Sequence, residues 1–380
     1  MKIVKKELRS PEINGWSRKI YMELSGPTEE DFASDQERIL RELRAEFGEI
    51  RKATIDSFLE LFRQIQEETG ILSEKWGSLI LSGNTTMLHF LLGLDAFCVF
   101  SSPYAVRTLK PDCYPAKELG FPNLGYVYCF PGQANYLGGD ILSGIVATEL
   151  YKQEELCVFL DIGTNGELVI GNKDFLVVGA GAAGPALEGG VVKAGMRAET
   201  GAVDQVEIHD QEVLVHVIGE GEAKGICGSG IVDLLAQMFL NGWIDMKGKL
   251  QPEVSGKITE QEGELAAEYA PGLCFYQSDI EEFLKTKAAA GTMVEYMMHE
   301  VGLTMKDIEK FYVAGAFGTH ISKESGVTIG LYPDIRRDKI VLPGNTSLLG
   351  AWKKWFTFSL EQWIILYILW QPQRQFLIRI

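Results

Sequence analysis

The chain has 380 residues, with 36 Lys and Arg against 52 Asp and Glu, for a formal charge of −16. Its composition, 46% hydrophobic and 23% charged, supports a sizeable core over two or three domains and excludes a disordered chain. The acidic balance repels phosphate backbones, so no nucleic-acid partner is expected.

The opening MKIVKKELRSPEING is basic but has no apolar core and no small-residue cleavage site, so no signal peptide is expected. Lys19–Leu24 (KIYMEL) alternates briefly and reads as a strand. Asp31–Leu43 is polar and helix-favouring. Ile55, Phe58, Leu59, Phe62 and Ile65 fall at helical spacing and predict a second helix to Thr69. In SLILSGNTTMLHFLLGL a short apolar run breaks at Gly83-Asn84-Thr85 and resumes, which reads as strand, turn and helix. GYVYCFPGQANYLGGDILSGIVATELY repeats that order, with Gly138-Gly139-Asp140 ahead of the helix.

After Lys152–Glu155 the pattern changes. CVFLDIGTNGELVIGN reads as a β-hairpin turning at Gly163-Thr164-Asn165-Gly166. FLVVGAGAAGPALEGG is a strand breaking into a small-residue loop, and VEIHDQEVLVHVIG reads as further strand. GICGSGIVDLLAQMFLNG opens a helix that ends at Asn241-Gly242. Residues 251–270 read as a polar excursion. Ser278-Asp279 caps a long helix to Glu300. KFYVAGAFGTH is a strand ending in a Gly-x-Phe-Gly turn, and KIVLPGNTSLLGAWKKW is again strand, turn and helix. The class is α/β, a mixed sheet with helices on its faces.

Four turns carry chemistry. In LDIGTNGE an apolar strand delivers Asp161 to a sheet edge, Gly163 admits an anion to the backbone, and Thr164 offers a hydroxyl and an amide. A carboxylate there can hold Mg²⁺ on a polyphosphate, usually through waters; alternatively Asp161 and the glycines serve only the turn. GAGAAGPALEGG permits close backbone approach. Gly225–Gly230 opens a helix whose N-terminus favours anions. Gly315-Ala316-Phe317-Gly318 ends a strand as a base platform would.

In this order the turns resemble the superfamily of acetate and sugar kinases, actin and heat-shock chaperones. More narrowly, SGNTTMLHFLLGLD, LDIGTNGELVIGNKD, AAGPALEGG, GICGSGIVDL, VAGAFG and IGLYPD resemble the reductive activators of corrinoid proteins, over residues 16 to about 351. The resemblance implies a two-lobed, actin-like (ribonuclease-H-like) ATPase fold. It implies ATP-driven one-electron reduction of cobalt(II) to cobalt(I) in a corrinoid protein of a methyl-transfer system, in the cytoplasm of an anaerobe. By matching motif, Asp161 with Mg²⁺, Gly163, Thr164 and Asn165 would lie at the phosphates. Gly315, Phe317 and Gly318 would lie near the adenosine, with Gly228 and Ser229 at a third cofactor-binding turn. Gly83, Asn84 and Thr85 would line the cleft from the other lobe, and Asp140 would face it. Asp161 and Asp140 are the candidate catalytic pair.

Three departures qualify this. No ferredoxin-like cysteine cluster is present, so no iron–sulfur cluster is expected in this chain and the electron would come from an iron–sulfur partner in trans. No Asp-x-Gly-Thr precedes Asp161, so the first lobe is expected to lack its opening strands and to leave an apolar sheet edge bare. After Ala351 the resemblance stops, and the tail holds four of the seven Trp with four Lys or Arg against one Glu. A frameshifted end ranks first for this tail, ahead of a core-packing strand or a membrane-surface segment. Its run Trp363–Trp370 is too short to span a bilayer, for which ~20 residues are needed. The expected organisation is therefore linker remnant 1–45, truncated first lobe 46–152, second lobe 153–351 and atypical tail 352–380.

Other residues read blandly. The six cysteines suit reduced thiols, and Cys227 a small residue in a tight turn. His89 reads as packing, as do Met293, Met297 and Met298, and His320, which follows the adenosine turn, has an approach to the nucleotide as its lesser reading. Glu188 is open between cleft carboxylate and loop residue. The competing function is a catalytically inactive module that binds a corrinoid protein. A dehydratase-type activator clamping a cluster across a homodimer lacks its paired cysteines; a homodimer of the first kind stays possible.

Overall fold

The computed structural model describes residues 29–72, 76–100, 104–162, 166–181, 190, 192–315, 320–358 and 364–367. The strand expected at Lys19–Leu24 lies outside them. The chain divides into two units, Met1–Gly138 with Ser359–Ile380, and Gly139–Phe358.

The first unit is organised by one helix. The two helical stretches read from the sequence are continuous as α1 (Glu29–Thr69), because nothing between them breaks a helix: the segment has no Pro, and Gly48 costs only about 1 kcal/mol. Its buried stripe Ile55, Phe58, Leu61, Phe62 and Ile65 meets Trp76 and Phe121. Phe62 stands edge-on to Trp76 at 5.3 Å, and Phe58 edge-on to Phe121 at 5.8 Å. Each such side chain contributes about 1.5–3 kcal/mol on burial. β1 (Trp76–Leu81) leads through Gly83-Asn84 into α2 (Thr85–Leu92). The Asn84 carboxamide oxygen accepts from Met87 N at 2.9 Å, and Gly93, at φ 67°, ends the helix. After a single turn, α3 (Phe97–Phe100), come β2 (Asp112–Pro115) and β3 (Tyr126–Cys129). β3 runs parallel to β1, and β2 antiparallel to β3.

The second unit opens with α4 (Gly139–Thr148) and the hairpin β4 (Cys157–Ile162) and β5 (Gly166–Gly171), continued by β6 (Leu176–Gly181). These three form an antiparallel meander. Two small sheets and two helices follow: β7 (Ala202–His209), β8 (Glu212–Val217) and β9 (Gly225–Ile226); α5 (Gly228–Leu240); β10 (Ile258–Gln261), β11 (Glu264–Ala270) and β12 (Leu273–Tyr276); and α6 (Gln277–Glu300). Residues 251–270, read as a polar excursion, thus supply two strands of a three-stranded sheet. The cap of α6 also differs from the reading. Asp279 sits inside the first turn and reaches back to accept from Tyr276 N at 3.0 Å.

β13 (Lys310–Ala314) then returns parallel beside β4. After the short α7 (Lys323–Thr328), β14 (Ile340–Gly344) lies parallel beside β13 and leads into α8 (Thr346–Phe358). The sheet order is β14-β13-β4-β5-β6. β4 is central, which is why CVFLDI is nearly continuous in apolar residues rather than alternating. One face carries Val158, Leu160 and Ile162 into a core shared with Phe283, Val294, Met297 and Ile231. The other carries Cys157, Phe159 and Asp161 toward α4, where Gly144 leaves room for the Phe159 ring. α4 and α8 cross at the same place, Gly350 lying against the Ser143 carbonyl. The last described strand, β15 (Ile364–Tyr367), belongs to the first unit and runs parallel along the free side of β1. The edge expected to be bare is therefore paired. Among the described residues no helix is long and apolar enough to cross a membrane.

A methyl group at Gly350 would collide with the Ser143 carbonyl, and neither backbone can yield alone. Gly350→Ala should cost about 2 kcal/mol or more through overpacking. Gly256→Ala, which meets nothing within 4 Å, should change stability little. Urea unfolding of the two variants should separate them by a clear shift in midpoint.

Candidate functional site

Strand register builds the site. Gly344, Ala314, Asp161, Glu167 and Ala180 form one row across β14, β13, β4, β5 and β6. The parallel strands β14, β13 and β4 all end on this edge, the position where open α/β sheets bind ligands. Gly315, at φ 97°, turns the chain immediately after β13. A Cβ there would stand 2.9 Å from the Ile162 carbonyl oxygen and 3.0 Å from Asp161 Oδ1, so only glycine lets the backbone pass so close to the carboxylate.

Two helices begin at the same edge. α4 brings Asp140 in its first turn, on the sheet face that Asp161 shares with Phe159. Asp140 Oδ1 accepts from Ile141 N at 2.9 Å, and its carbonyl accepts from Ser143 Oγ at 2.8 Å and Ser347 Oγ at 3.4 Å. Ser347 is in the first turn of α8, so both helix N-termini lie beside Asp140. Asn345 Oδ1 caps α8 by accepting from Leu348 N at 3.1 Å. Thr346, 1% exposed, keeps its hydroxyl without a hydrogen-bond partner among the described residues.

The electrostatics are those of a crowded acid pair. Asp161 keeps some accessible surface as a residue, yet its carboxyl is enclosed. Burial first, and the negative Asp140 second, push it up to about 7. Glu167, 9% exposed, sits directly across the hairpin from Asp161 and adds a third acid to the neighbourhood. Such a pair is relieved by a proton or a cation. The donor set suits a hard oxygen-seeking cation such as Mg²⁺. Among the described residues no group of three or more His, Cys, Asp or Glu could enclose a metal by itself. Mg²⁺ is commonly held by one or two carboxylates with waters completing its shell, and Asp161 and Asp140 would be those carboxylates.

The remaining sequence-named residues fall in several places. Gly163, Thr164 and Asn165, Phe317 and Gly318, and Glu188 lie outside the described residues. Gly228 and Ser229 open α5, where Cys227 is the N-cap residue, its sulfur 3.4 Å from Ser229 Oγ. Two residues on, Gly230 lies against the Val203 carbonyl of β7 and Ile226 of β9, and no described contact joins Gly228 or Ser229 to Asp161. Gly83, Asn84 and Thr85 belong to the first unit. Asn84 is engaged as a cap, and Thr85 Oγ1 donates to the Ala134 carbonyl at 2.9 Å. His89 is fully buried with both ring nitrogens engaged, Nδ1 on the Thr85 carbonyl at 2.7 Å and Nε2 accepting from Arg107 N at 3.2 Å. It is a packing residue, as are Met297 and Met298. Reading the sequence passed over Glu167, Asn345, Thr346 and Ser347. The signal was there: Gly344-Asn345-Thr346 repeats Gly83-Asn84-Thr85 at another strand-to-helix turn.

A family model described as the C-terminal ASKHA domain of RACo matches residues 155–361, and one described as the RACo middle region matches residues 37–153. The chain is 28% identical over 322 residues to a "Corrinoid activation enzyme RamQ" of Eubacterium limosum, covering 80% of this chain and 54% of that protein. It is 29% identical over 273 residues to a "[Co(II) methylated amine-specific corrinoid protein] reductase" of Methanosarcina barkeri, covering 65% and 48%. Among solved structures it matches a "Reductive activator for corrinoid,iron-sulfur protein" with a TM-score of 0.73 and 35% identity, over 89% of this chain and 53% of that one. The chain thus spans about half the length of the relatives it matches.

The raised Asp161 carboxyl makes a stability prediction. Between its ordinary value of 3.8 and about 7, the folded chain holds a proton that the unfolded chain releases. Stability contributed by this group therefore falls as pH rises through that window. Asp161→Asn removes the fall. In metal-free buffer the variant should be more stable than the parent by roughly 1–3 kcal/mol at pH 8, with the difference shrinking toward pH 4. Urea titrations at both pH values check this, and an unchanged midpoint at pH 8 would refute the crowded-acid reading.

Proposed function

The chain belongs to the family of reductive activators of corrinoid proteins, and on that premise we propose that it uses ATP to drive the reduction of a corrinoid protein's cobalt(II) to cobalt(I). An iron–sulfur partner supplies the electron, and the setting is the cytoplasm of a cell running methyl transfer through corrinoids. The names of its relatives, a corrinoid activation enzyme and a corrinoid-protein reductase, support the substrate class. The observation that carries the ATP reading is the Asp140–Asp161 pair at the C-terminal edge of the parallel strands.

In this reading Asp161 and Asp140 hold a hydrated Mg²⁺ on the nucleotide's phosphates. Bound there, the cation would neutralise the carboxylates and part of the triphosphate charge. Gly163, Thr164 and Asn165 would follow Asp161 around the phosphates with backbone amides and one hydroxyl. Gly315 gives the backbone passage beside Asp161, and Phe317 and Gly318 would continue from it toward the adenosine. Gly228 and Ser229 on one unit and Gly83, Asn84 and Thr85 on the other are the remaining cofactor-binding candidates. The start of α8 favours an anion through its helix dipole. Asp161 must lose its proton to serve, so nucleotide binding should strengthen as pH rises through about 7.

A second reading, a corrinoid-protein-binding module without ATPase activity, is favoured by the first unit. There the polar side chains of the Gly-Asn-Thr turn are already engaged inside the chain.

Calorimetric titration with Mg·ATP tests the first reading. Binding should be tighter at pH 8 than at pH 6. Asp161→Asn should bind roughly tenfold more weakly or worse, the scale of losing one charge-assisted contact. A corrinoid protein should stimulate hydrolysis and, with a low-potential reductant, lose its cobalt(II) absorbance. No binding at millimolar ATP would end the ATP reading. Capture of the corrinoid protein without ATPase activity would select the second.

A further inference from the structure

The two units contain the same parallel core. In the second, β13 has parallel β14 on one side and parallel β4 on the other. In the first, β1 has parallel β3 on one side and parallel β15 on the other. β1 leads into a helix, α2, before β3, as β13 leads to α7 before β14. β15 therefore stands in its sheet where β4 stands in the other. The two arrive there differently. β4 opens its sheet and continues into the antiparallel meander. β15 comes after the whole second unit and pairs four residues with β1, from Trp76 opposite Ile364 to Ile80 opposite Tyr367.

β1 itself calls for a neighbour on that side. WGSLIL is almost continuously apolar, and five of its six residues are buried. That is the pattern of an interior parallel strand, not of an edge. Left unpaired, its row of backbone donors and acceptors would template pairing with another chain.

We propose that the side of β1 away from β3 is a strand-acceptor site, and that its occupant is the chain's own tail strand β15, a surrogate in position for an opening strand such as β4. The substitution is one of backbone only. β4 runs on into Asp161 and the Gly-Thr-Asn turn, whereas Tyr367 is followed by Ile-Leu-Trp-Gln-Pro, which has no carboxylate and no glycine. The tail strand thus completes the sheet, while the sequence that follows it lacks the residues that follow β4. It also keeps the apolar edge from a second copy of the chain.

Hydrogen exchange on the full chain tests this, read in peptides covering Trp76–Leu81 and, as an internal control, Cys157–Gly171. A chain ending at Phe358 should exchange its β1 amides roughly tenfold faster or more, with β4 and β5 unchanged. It should also self-associate in a concentration-dependent way. A synthetic peptide of residues 359–371 should restore β1 protection and disperse the assemblies. In case truncation disturbs folding generally, Ile365→Pro with Leu366→Pro in the full chain removes ladder donors while keeping the tail, and should give the same local loss. β1 protection that survives either change overturns the proposal, as does a peptide that fails to restore it.

Discussion

The second unit is governed by one conflict. Its central strand, β4, is buried on both faces through four residues and then must place a carboxylate, Asp161, at its end. The parity of the strand decides which way that carboxylate points. Phe159 and Asp161 share the face that α4 covers, and α4 carries Asp140 in its first turn. Two acids are thereby brought together by a sheet face and a helix start, although 21 positions separate them in the chain. Burial disfavours charge on Asp161 and Asp140 disfavours it further, so the pair is stable only when a proton or cation relieves it. The nearby glycines are consistent with this. Gly315 beside the carboxylate and Gly350 at the α4–α8 crossing are places where a side chain would push the edge apart.

How much of this was legible follows from range. The β4–β5 hairpin is written locally, in an apolar run, a Gly-rich turn and a second apolar run, and it forms where the pattern puts it. The Gly-Asn-Thr cap at the start of α2 is local in the same sense. The two helices read as Asp31–Leu43 and Ile55–Thr69 fuse because a change from polar to apolar facing is not a helix stop. The β10–β12 sheet was illegible for a different reason. In ELAAEYA the buried residues are Ala266, Ala267, Tyr269 and Ala270, so burial does not alternate along the strand and the alanines add little hydrophobic signal. The cross-strand position of Glu167 could be counted from the hairpin. The approach of Asp140 to Asp161 could not, because it depends on which sheet face α4 covers.

The tail shows the same limit. Its apolar run is visible as a short strand candidate, but the partner that makes it a strand lies nearly 290 residues earlier. A composition that breaks abruptly from the rest suggests an accident of the reading frame. A strand that fills a vacant sheet position needs only apolar, β-favouring residues in a short run, and WIILYILW has them. The constraint on such a strand is therefore loose in sequence and strict in register.

The two units also treat the same turn differently, and the difference has chemical weight. Gly83-Asn84-Thr85 and Gly344-Asn345-Thr346 both start helices, and both asparagines cap with the side-chain oxygen. In the first unit the threonine hydroxyl is committed to the Ala134 carbonyl, which ties the turn to its own loop. In the second the Thr346 hydroxyl is buried without a partner among the described residues, in the first turn of the helix that reaches the Asp140 carbonyl. An unmet buried donor and a crowded carboxylate pair on one sheet edge are both costs to the free chain. A ligand that carries a cation to the acids and oxygen acceptors to the helix starts would remove both costs together. Binding of that kind stabilises the fold by what the free site lacks, so the features that weaken the free second unit are the ones that would make it a receptor for a metal-bound polyphosphate.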